Sequence, residues 1–344
     1  MAKSSRRSKA IWFGAAAASL AAGVIAERAY VKRDRSRPDP DAGEPFGTLR
    51  GEIITNVLSS DGTKLHVEEW GSGPTIVLAH GFSLALDLWH YQIADLGRDY
   101  RVVAFDQRGH ARSGRPPTGD WSLEALAHDL DAVVRAAGPE PVAIVGHSMG
   151  GMQVLQYCRQ FPEAIGSRVS ALALVDTTAA DVMGGMVPGV GRYVQATVQG
   201  FEEAAVRALA VNTHRIDRIR GRVGNVAYLA TRFMGFGIDP SPSKVAFVEK
   251  LLAETPSDVV VALLPTMSGM DVSDVLDSID VPTLVAVGSH DRLTPAGAAR
   301  RLAEAIKDAE LYVIEGAGHS AVLERPHEFN AALRRFLVQR AGWK

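Results

Sequence analysis

Three residues of this chain have side chains that could together carry out nucleophilic catalysis: Ser148, Asp291 and His319. A serine hydroxyl is a weak nucleophile at neutral pH, so it needs a base, usually histidine, and that imidazole needs an acid that fixes its tautomer. Each of the three residues follows an apolar run of the kind that forms a buried strand. The chain therefore holds the residue types of a nucleophile, a base and an orienting carboxylate, provided that the fold brings them together.

Ser148 stands in the motif GHSMGG at residues 146–151, where an apolar run at 142–145 stops and a helix-like pattern begins at Met149. A Gly-x-Ser-x-Gly motif between a strand and a helix predicts a nucleophile elbow. The serine of such a sharp turn takes unfavourable backbone angles, so its neighbours must be small for the strand and the helix to approach. The turn is expected to push the hydroxyl out of the sheet edge, beside the N-terminus of the new helix.

The acid and the base are predicted at the ends of two later strands. Asp291 follows the apolar run at 282–288, and His319 follows the run at 310–314 through a Gly-Ala-Gly turn. Asp176, which comes directly after an earlier apolar run, is the alternative acid, and the Gly-x-x-Asp context of Asp291 favours the later position. Because parallel strands carry their C-terminal ends at one edge of a sheet, we expect nucleophile, acid and base to share that edge.

Two backbone N–H groups are predicted to hold the tetrahedral intermediate of acyl transfer. One belongs to Met149, the residue after the nucleophile. The other belongs to Phe82, because the apolar run at 75–79 ends in a His-Gly turn in which Gly81 permits the tight bend that points this N–H inward. The alternative is that the His-Gly pair is an ordinary turn.

Other polar residues near these motifs are expected to have structural roles. The loop at 106–113, DQRGHARS, is expected to brace the site with its charges paired internally. The single cysteine, Cys158, cannot form an internal disulfide, so cysteine usage does not indicate the cellular compartment. Cys158 is expected to pack in the core rather than act as a nucleophile. His290 is expected to be a loop residue. The histidines expected on strand or helix faces are His66, His90, His128, His214 and His327.

The motifs together resemble those of the α/β-hydrolase family, in its serine esterase and lipase-like branch. The resemblance runs from about Glu52 to Leu337 and rests on HGF at 80–82, DQRGHARS at 106–113, GHSMGG at 146–151, Gly288-x-x-Asp291 and Gly318-His319. It implies a mostly parallel eight-stranded sheet with helices on both faces, a helical lid, and a hydrolase that needs no metal or organic cofactor. Ser148 argues against the family's dehalogenases and epoxide hydrolases, whose nucleophile is aspartate. Ala111 stands where the family usually has a second glycine, so we expect a slightly altered loop there.

The chain has 344 residues, 47% of them hydrophobic, which is enough to bury a full core. Strand and helix patterns alternate through most of it, as in an α/β fold, but the alternation lapses between Asp176 and Pro282. Helical patterns occur in that interval near 201–211, 223–234, 243–254 and 258–268. The predicted domains are a membrane-associated segment at 1–37, a linker at 38–50, a hydrolase core at 51–178 and 280–344, and a lid at 179–279.

The lid is expected to exclude water and to shape the acyl or alcohol pocket. Its many apolar residues suggest an apolar substrate pocket, with packing of the lid on the core as the alternative for each residue. They are Met183, Met186, Val187, Phe233, Met234, Phe236, Leu263, Leu264, Met267 and Met270.

The N-terminus combines an uncharged apolar run, Ile11–Ala26, with basic flanks. Residues 1–37 hold nine Lys or Arg and two acidic residues, a net of +7, whereas the remainder carries −9. The run is shorter than the roughly twenty residues that span a bilayer, but snorkelling basic flanks can let a short helix cross. We predict an uncleaved anchor or a membrane-associated helix that meets anionic headgroups; a cleaved signal peptide with secretion and a soluble tail are the alternatives. The charge distribution gives no indication of nucleic-acid binding.

The first functional hypothesis is a carboxylic ester hydrolase that forms an acyl-enzyme. The apolar lid and the N-terminus favour lipid-like acyl esters or thioesters as its substrates. A second hypothesis keeps the same triad for cofactor-free perhydrolysis of the haloperoxidase type, or for hydrolysis of a carbon–carbon bond. A third is a non-catalytic ligand receptor, which the presence of all three triad residues disfavours.

Overall fold

The computed structural model describes residues 25–180 and 224–343, and within them eight strands form one sheet. The strands are β1 (Ile53–Leu58), β2 (Lys64–Trp70), β3 (Thr75–Ala79), β4 (Arg101–Phe105), β5 (Val142–His147), β6 (Val169–Val175), β7 (Thr283–Gly288) and β8 (Ala309–Ile314). Their spatial order is β1-β2-β4-β3-β5-β6-β7-β8. Only β2 is antiparallel to its neighbours, β1 and β4, so the mostly parallel eight-stranded sheet is confirmed.

The central strands are continuous apolar runs because both of their faces are covered. Every residue of β3, β5 and β7 is buried, as in parallel strands between two helical layers. β1, at the edge of the sheet, is instead mostly exposed. β1 and β2 pair with each other as an antiparallel hairpin.

Helices lie on both faces of this sheet. The described helices are α1 (residues 25–35), α2 (His90–Leu96), α3 (Leu123–Ala136), α4 (Met149–Gln160), α5 (Gly224–Gly235), α6 (Pro242–Glu254), α7 (Ser257–Ser268), α8 (Ala296–Ala305), α9 (Ala321–Glu324) and α10 (Pro326–Gln339). Short 3₁₀ turns occur at Leu86–Trp89, Pro162–Ala164 and Ser273–Ser278. Serine caps begin two helices: Ser122 Oγ accepts a hydrogen bond from an N–H of α3 and Ser241 Oγ from one of α6.

Two apolar layers sandwich the sheet, because successive side chains of a strand point to opposite faces. In β3, Val77 belongs to one layer and its neighbours Ile76 and Leu78 to the other. The first layer contains α3, α4 and α8, and the second contains α2, α9 and α10. This arrangement leaves the C-terminal edge of the parallel strands to the loops that carry the predicted site.

The described part of the segment predicted as a lid is helical, as its sequence pattern predicts. The patterns at 223–234, 243–254 and 258–268 correspond to α5, α6 and α7, and the pattern at 201–211 lies outside the described residues. Some of the apolar lid residues pack in the core, and others are partly or fully exposed. Phe236, Leu263 and Met270 are buried in the two core layers, whereas Met234, Leu264 and Met267 are half-buried and Phe233 is exposed. Met183, Met186 and Val187 lie outside the described residues.

The segment before β1 lies against the lid and the core. The predicted linker at 38–50 is in contact with α2 and α6 along its length, because its acidic and aromatic side chains find partners there. Of the predicted membrane-associated segment at 1–37, residues 25–37 are described, and the apolar run Ile11–Ala26 lies almost wholly outside the described residues. Among the helices of residues 25–180 and 224–343, none is both long and apolar enough to cross a membrane.

Candidate active site

Ser148 lies at a sharp turn between β5 and α4, with a φ of 53° and a ψ of −118°. These angles are sparsely populated for a residue with a side chain, so the surrounding structure must hold them in place. The small residues of the motif allow this close approach. A Cβ on Gly150 would lie 2.2 Å from the carbonyl oxygen of Ala79, and one on Gly151 would lie 2.6 Å from Thr177. The strained, glycine-lined elbow expected from the sequence is therefore present.

The structure brings the three predicted triad residues together. Ser148 Oγ lies 2.9 Å from His319 Nε2, and His319 Nδ1 lies 2.9 Å from Asp291 Oδ2. With Asp291 ionised, the Nδ1 nitrogen carries the imidazole proton and Nε2 is left to accept the serine proton. His319 and Asp291 are buried, and Ser148 is half-buried. The arrangement can deprotonate Ser148 as it attacks an electrophile.

Asp291 is held by its own loop as well as by His319. Its Oδ1 accepts hydrogen bonds from the N–H groups of Leu293 at 2.8 Å and Thr294 at 2.9 Å, and Thr294 Oγ1 donates to Oδ2 at 2.7 Å. Burial alone would raise the pKa of Asp291, but the neighbouring His319 imidazole and these hydrogen bonds hold the pKa below its ordinary value. Asp291 is thus kept ionised and oriented toward the imidazole.

The alternative acid, Asp176, has a different set of contacts. Its carboxylate accepts hydrogen bonds from the N–H groups of Gly288 at 2.9 Å and Ala321 at 3.2 Å, and the His147 ring is 3.9 Å away. Burial and the negative charge of Asp291 raise the pKa of Asp176 well above its ordinary value. Asp176 therefore joins the loops behind the triad, while Asp291 is the carboxylate that contacts His319.

The loop that carries Phe82 lies directly against the elbow. A Cβ on Gly81 would lie 2.8 Å from His147 Nδ1 and 3.1 Å from Ser148 Cβ, so a side chain at this position would displace the loop. The sequence interpretation attributed Gly81 to a tight bend, but the left-handed residue of the loop is Ser83, with a φ of 56°. Gly81 is needed for close approach instead. The N–H groups of Phe82 and Met149 donate no hydrogen bond to any residue of the described ranges.

Two buried histidines, His80 of the HGF motif and His110 of the DQRGHARS motif, support the Phe82 loop, a role that the motifs themselves do not indicate. His80 Nδ1 donates to the carbonyl of Gly81 at 2.8 Å, and its Nε2 accepts the N–H of Gln107 at 2.9 Å. His110 Nε2 accepts the N–H of Ser83 at 3.1 Å. Burial lowers the pKa of His80 to about 3 and also lowers that of His110. Both rings are therefore neutral, and each tautomer is determined by its hydrogen bonds.

A third histidine, His147 of the elbow, connects the nucleophile to the base. Its Nε2 donates to the backbone carbonyl of His319 at 2.8 Å, and burial lowers its pKa to about 3. Its only sequence signal is its place inside the GHSMGG motif. His147 thus helps to set the position of the His319 backbone relative to Ser148.

The loop at 106–113 braces this edge of the site through paired charges. Arg112 Nε donates to Asp106 Oδ2 at 2.8 Å, and Arg108 reaches outside the loop to Asp129, at 2.6 Å. Ala111, which replaces the usual glycine, has a φ of 40°. This left-handed angle favours glycine, so the substitution costs the loop some backbone strain.

A buried glutamate, also missed at the sequence level, joins the lid to the His319 loop. Glu324 Oε1 accepts the N–H of Gly318 at 2.6 Å, and Oε2 accepts the N–H of Gly237 at 2.9 Å. Burial raises the pKa of Glu324 to about 7. The two loops also share backbone hydrogen bonds, including one from Ser320 N–H to the Gly235 carbonyl at 2.8 Å. The end of α5 is therefore attached to the loop that carries the base.

The remaining candidates from the sequence lie in structural positions. Cys158 is buried in the core, where burial raises the pKa of its thiol to about 12, as suits a packing residue. His290 is in a loop, with Nδ1 2.9 Å from Ser289 Oγ. His66, His90, His128 and His327 lie on β2, α2, α3 and α10, and His214 is outside the described residues.

Known proteins are similar to this chain over most of its length. The model of the α/β hydrolase fold family matches residues 74–326. A non-heme haloperoxidase of Rhodococcus erythropolis is 31% identical over 292 residues, which cover 82% of this chain and 98% of the relative. A thermophilic esterase from Thermogutta terrifontis superposes with a TM-score of 0.68 at 25% identity, covering 84% of this chain and 99% of the other. An esterase from Exiguobacterium antarcticum superposes with a TM-score of 0.67 at 26% identity, covering 83% of this chain and 100% of the other.

Proposed function

The chain belongs to the α/β-hydrolase family, and on that premise we propose that it is a serine hydrolase that cleaves carboxylic esters through an acyl-enzyme. The observation that carries the proposal is the continuous hydrogen-bonded chain from Ser148 through His319 to Asp291, with 2.9 Å at each step. The strained elbow adds to it, because this turn presents the serine at the C-terminal edge of the sheet.

In the acylation step, Ser148 Oγ attacks the ester carbonyl carbon and His319 Nε2 takes the hydroxyl proton. The negative charge that develops on the carbonyl oxygen is stabilised by the N–H groups of Phe82 and Met149, which have no other partner among the described residues. The imidazolium then gives its proton to the leaving alkoxide. The alcohol departs and leaves the acyl group esterified to Ser148.

In the deacylation step, His319 takes a proton from water, whose oxygen attacks the acyl carbon. The second tetrahedral intermediate collapses, the proton returns to Ser148 Oγ, and the carboxylic acid is released. Asp291 holds the tautomer of the imidazole and stabilises the imidazolium in both steps. Its lowered pKa suits this role because the carboxylate must stay ionised.

The proposed substrates are lipid-like acyl esters, and the support for this finer proposal is the composition of the lid. Phe233 is exposed and Met234 is half-buried at the end of α5, next to the loops that carry the acid and the base. The apolar and basic N-terminal sequence adds to the same proposal, together with association of the protein with a membrane.

The proposal is tested by the hydrolysis of p-nitrophenyl esters of increasing acyl length. Ser148→Ala should lower kcat by a factor on the order of 10⁵–10⁶, since the nucleophile, base and acid act as a unit. The exposed Ser167→Ala is the matched control and should keep wild-type kinetics. A Ser148→Ala protein that folds and retains kcat within about tenfold would refute the triad. A kcat/KM that does not rise with acyl length would refute the lipid-like preference alone.

Perhydrolysis is the second candidate function, favoured by the likeness to a non-heme haloperoxidase. In this reaction hydrogen peroxide replaces water as the nucleophile, so the acyl-enzyme yields a peracid and free Ser148. The same acyl esters, with and without hydrogen peroxide, distinguish the two candidates. Carboxylic acid release without peroxide supports the esterase. Peracid formation with negligible hydrolysis would make perhydrolysis the main activity.

A further inference from the structure

The segment at residues 25–46, here called the arm, is attached to the lid by buried polar contacts. It lies before the part of the chain that the family model matches. Tyr228 of α5 donates its hydroxyl to Asp34 Oδ2 at 2.6 Å, and both side chains are buried. Arg37 forms an ion pair with Asp34 at 2.9 Å and donates to the carbonyl of Pro240 at 2.7 Å. The first half of the arm is therefore fixed on α5 and on the turn that follows it.

The second half of the arm is attached to α6. Asp39 Oδ2 accepts hydrogen bonds from the N–H of Ser243 at 2.8 Å and from its hydroxyl at 2.6 Å. The Phe46 ring stacks on Phe247, with centroids 4.8 Å apart. These contacts lie on one side of the arm. Other residues of the arm and part of α5 are exposed to solvent.

The exposed parts of α1 and α5 carry large apolar side chains that no described residue covers. Ile25 is 67% exposed on α1, and Val226 and Phe233 are 60% and 45% exposed on α5. Tyr30 is also exposed and stacks on Phe233, with centroids 5.9 Å apart, so these two rings form one apolar patch across the two helices. Exposed aromatic and aliphatic side chains grouped in this way mark an interaction surface.

Cations follow Ile25 along one side of α1, and Tyr30 with Phe233 flanks the helix on its other side. Arg28, Lys32 and Arg35 are spaced along one stripe of α1 and line a cleft of about 420 Å³ between α1 and α5. Arg35 pairs with Glu249 at 3.1 Å. No carboxylate within the described ranges pairs with Arg28 or Lys32, which are both exposed. The surface therefore combines apolar side chains with unneutralised positive charge.

From this combination we infer that α1 and α5 form a docking surface for an anionic lipid bilayer. Apolar side chains can enter the interfacial region while neighbouring Lys and Arg side chains meet phosphate groups. The sequence that leads into Ile25 is itself apolar and basic, a composition that suits contact with an anionic bilayer. A second copy of the chain is a poor occupant, because a symmetric contact would place the same cations against each other.

The surface reaches the candidate active site. Arg292, next to Asp291, donates to the backbone carbonyl of Phe233 at 2.6 Å and of Phe236 at 3.2 Å. A bilayer docked on α5 would therefore lie beside the loop that carries the catalytic acid. The inference concerns this surface rather than the reaction, so it can fail while the proposed ester hydrolysis stands.

Site-specific labels on the full-length protein test the inference, since the native Cys158 is buried. Val226→Cys places an environment-sensitive fluorophore on the surface. Val338→Cys is the matched control: Val338 is 50% exposed near the end of α10, where Arg340 pairs with Asp308 at the opposite, N-terminal edge of the sheet. Vesicles of phosphatidylcholine and phosphatidylglycerol with nitroxide-labelled lipid should quench the label at 226 and not the label at 338. Absent quenching at 226, or equal quenching at both sites, would overturn the inference.

Charge reversal separates docking by this surface from tethering by the N-terminal segment alone. Arg28→Glu combined with Lys32→Glu should raise the lipid concentration for half-maximal quenching at least about tenfold, because each cation near an anionic bilayer contributes roughly a fivefold factor. Arg98→Glu combined with Lys307→Glu makes the same charge change at exposed sites on the opposite edge and should leave quenching unchanged. Equal effects of the two pairs would overturn the inference. The fluorescence of the label at 226 is also followed without vesicles as the protein concentration rises. A change that shows burial of the label would indicate that a second copy of the chain occupies the surface instead.

Discussion

Two regions of the molecule are held in place by different interactions. One is the set of strand ends that carry the triad, and the other is the lid together with the arm. At the strand ends, glycines let the backbone of the elbow touch neighbouring strands, and buried neutral histidines connect the loops. In the lid and arm, ion pairs and carboxylate hydrogen bonds, both buried and partly exposed, form the attachment, as in the contacts of Arg37 and Asp39. Close backbone packing thus positions the site of chemistry, whereas charged and polar side chains hold the lid and arm.

Glu324 lies where the two regions meet. It joins Gly318, beside the base, to Gly237, at the end of the lid helix α5. Because this carboxyl is buried with a pKa raised to about 7, its charge changes within the physiological range. The lid is therefore coupled to the base through a titratable group.

The largest expected effect is a loss of kcat in the strand-end region, where the two buried carboxyls can be compared. Asp291→Asn should lower kcat by about 10⁴, because the amide cannot hold the tautomer that His319 needs. Asp176→Asn should lower kcat by no more than about tenfold, since Asp176 does not contact His319 and an amide oxygen can still accept a hydrogen bond from the Gly288 or Ala321 N–H. Single-turnover kinetics on a p-nitrophenyl ester measure both values. A larger loss with Asp176→Asn would reverse the assignment of the acid.

A smaller loss is expected when the loop against the elbow is displaced. Gly81→Ala places a Cβ 2.8 Å from His147 Nδ1 and should lower kcat by about 10²–10³, the cost of misplacing one oxyanion donor. Gly43→Ala is the control, because a Cβ there meets no atom within 4 Å. Steady-state kinetics with a melting curve for each variant compare the two. If Gly81→Ala folds and keeps wild-type kcat, the Phe82 N–H does not stabilise the oxyanion.

The smallest expected effect is on the free energy of unfolding and comes from Glu324, where the two regions meet. The pKa of Glu324 is raised from 4.5 to about 7 on folding, so the folded state binds more protons between these pH values. The free energy of unfolding should therefore fall by about 3 kcal/mol as pH rises through this window. Glu324→Gln should remove that slope, which urea unfolding at several pH values measures. Glu315→Gln, exposed in the same part of the chain, should keep the wild-type slope. An unchanged slope in Glu324→Gln would place the titration elsewhere.

The candidate triad could be predicted because its geometry depends on local motifs at strand ends. Parallel strands deliver their last residues to one edge, so Ser148 and His319 meet although they are far apart in the chain. The sequence leaves two candidates for the acid, since Asp176 and Asp291 both follow buried strands. Only the three-dimensional course of the two loops distinguishes them, by directing Asp291 toward His319 and Asp176 toward backbone N–H groups.

The lid and arm were harder to predict because their contacts join distant parts of the chain. The Pro- and Asp-rich stretch near Asp39 reads locally as a linker, yet its partner Ser243 lies about two hundred residues away. Likewise, nothing near Glu324 indicates that the chain at Gly237 returns to it. His80 and His110 carry no periodic signal, and their support of the Phe82 loop depends on the approach of two separate loops.

The central claim is that Ser148 is the nucleophile of an ester hydrolase, and covalent trapping tests it most directly. The full-length protein is incubated with a fluorophosphonate, whose phosphorus is attacked by an activated serine with loss of fluoride, and the digest is examined by mass spectrometry. We predict one adduct per chain, on the peptide that contains Ser148, which disappears in Ser148→Ala and forms far more slowly in Asp291→Asn. A folded wild-type protein without an adduct, or with its adduct on another residue, would contradict the claim.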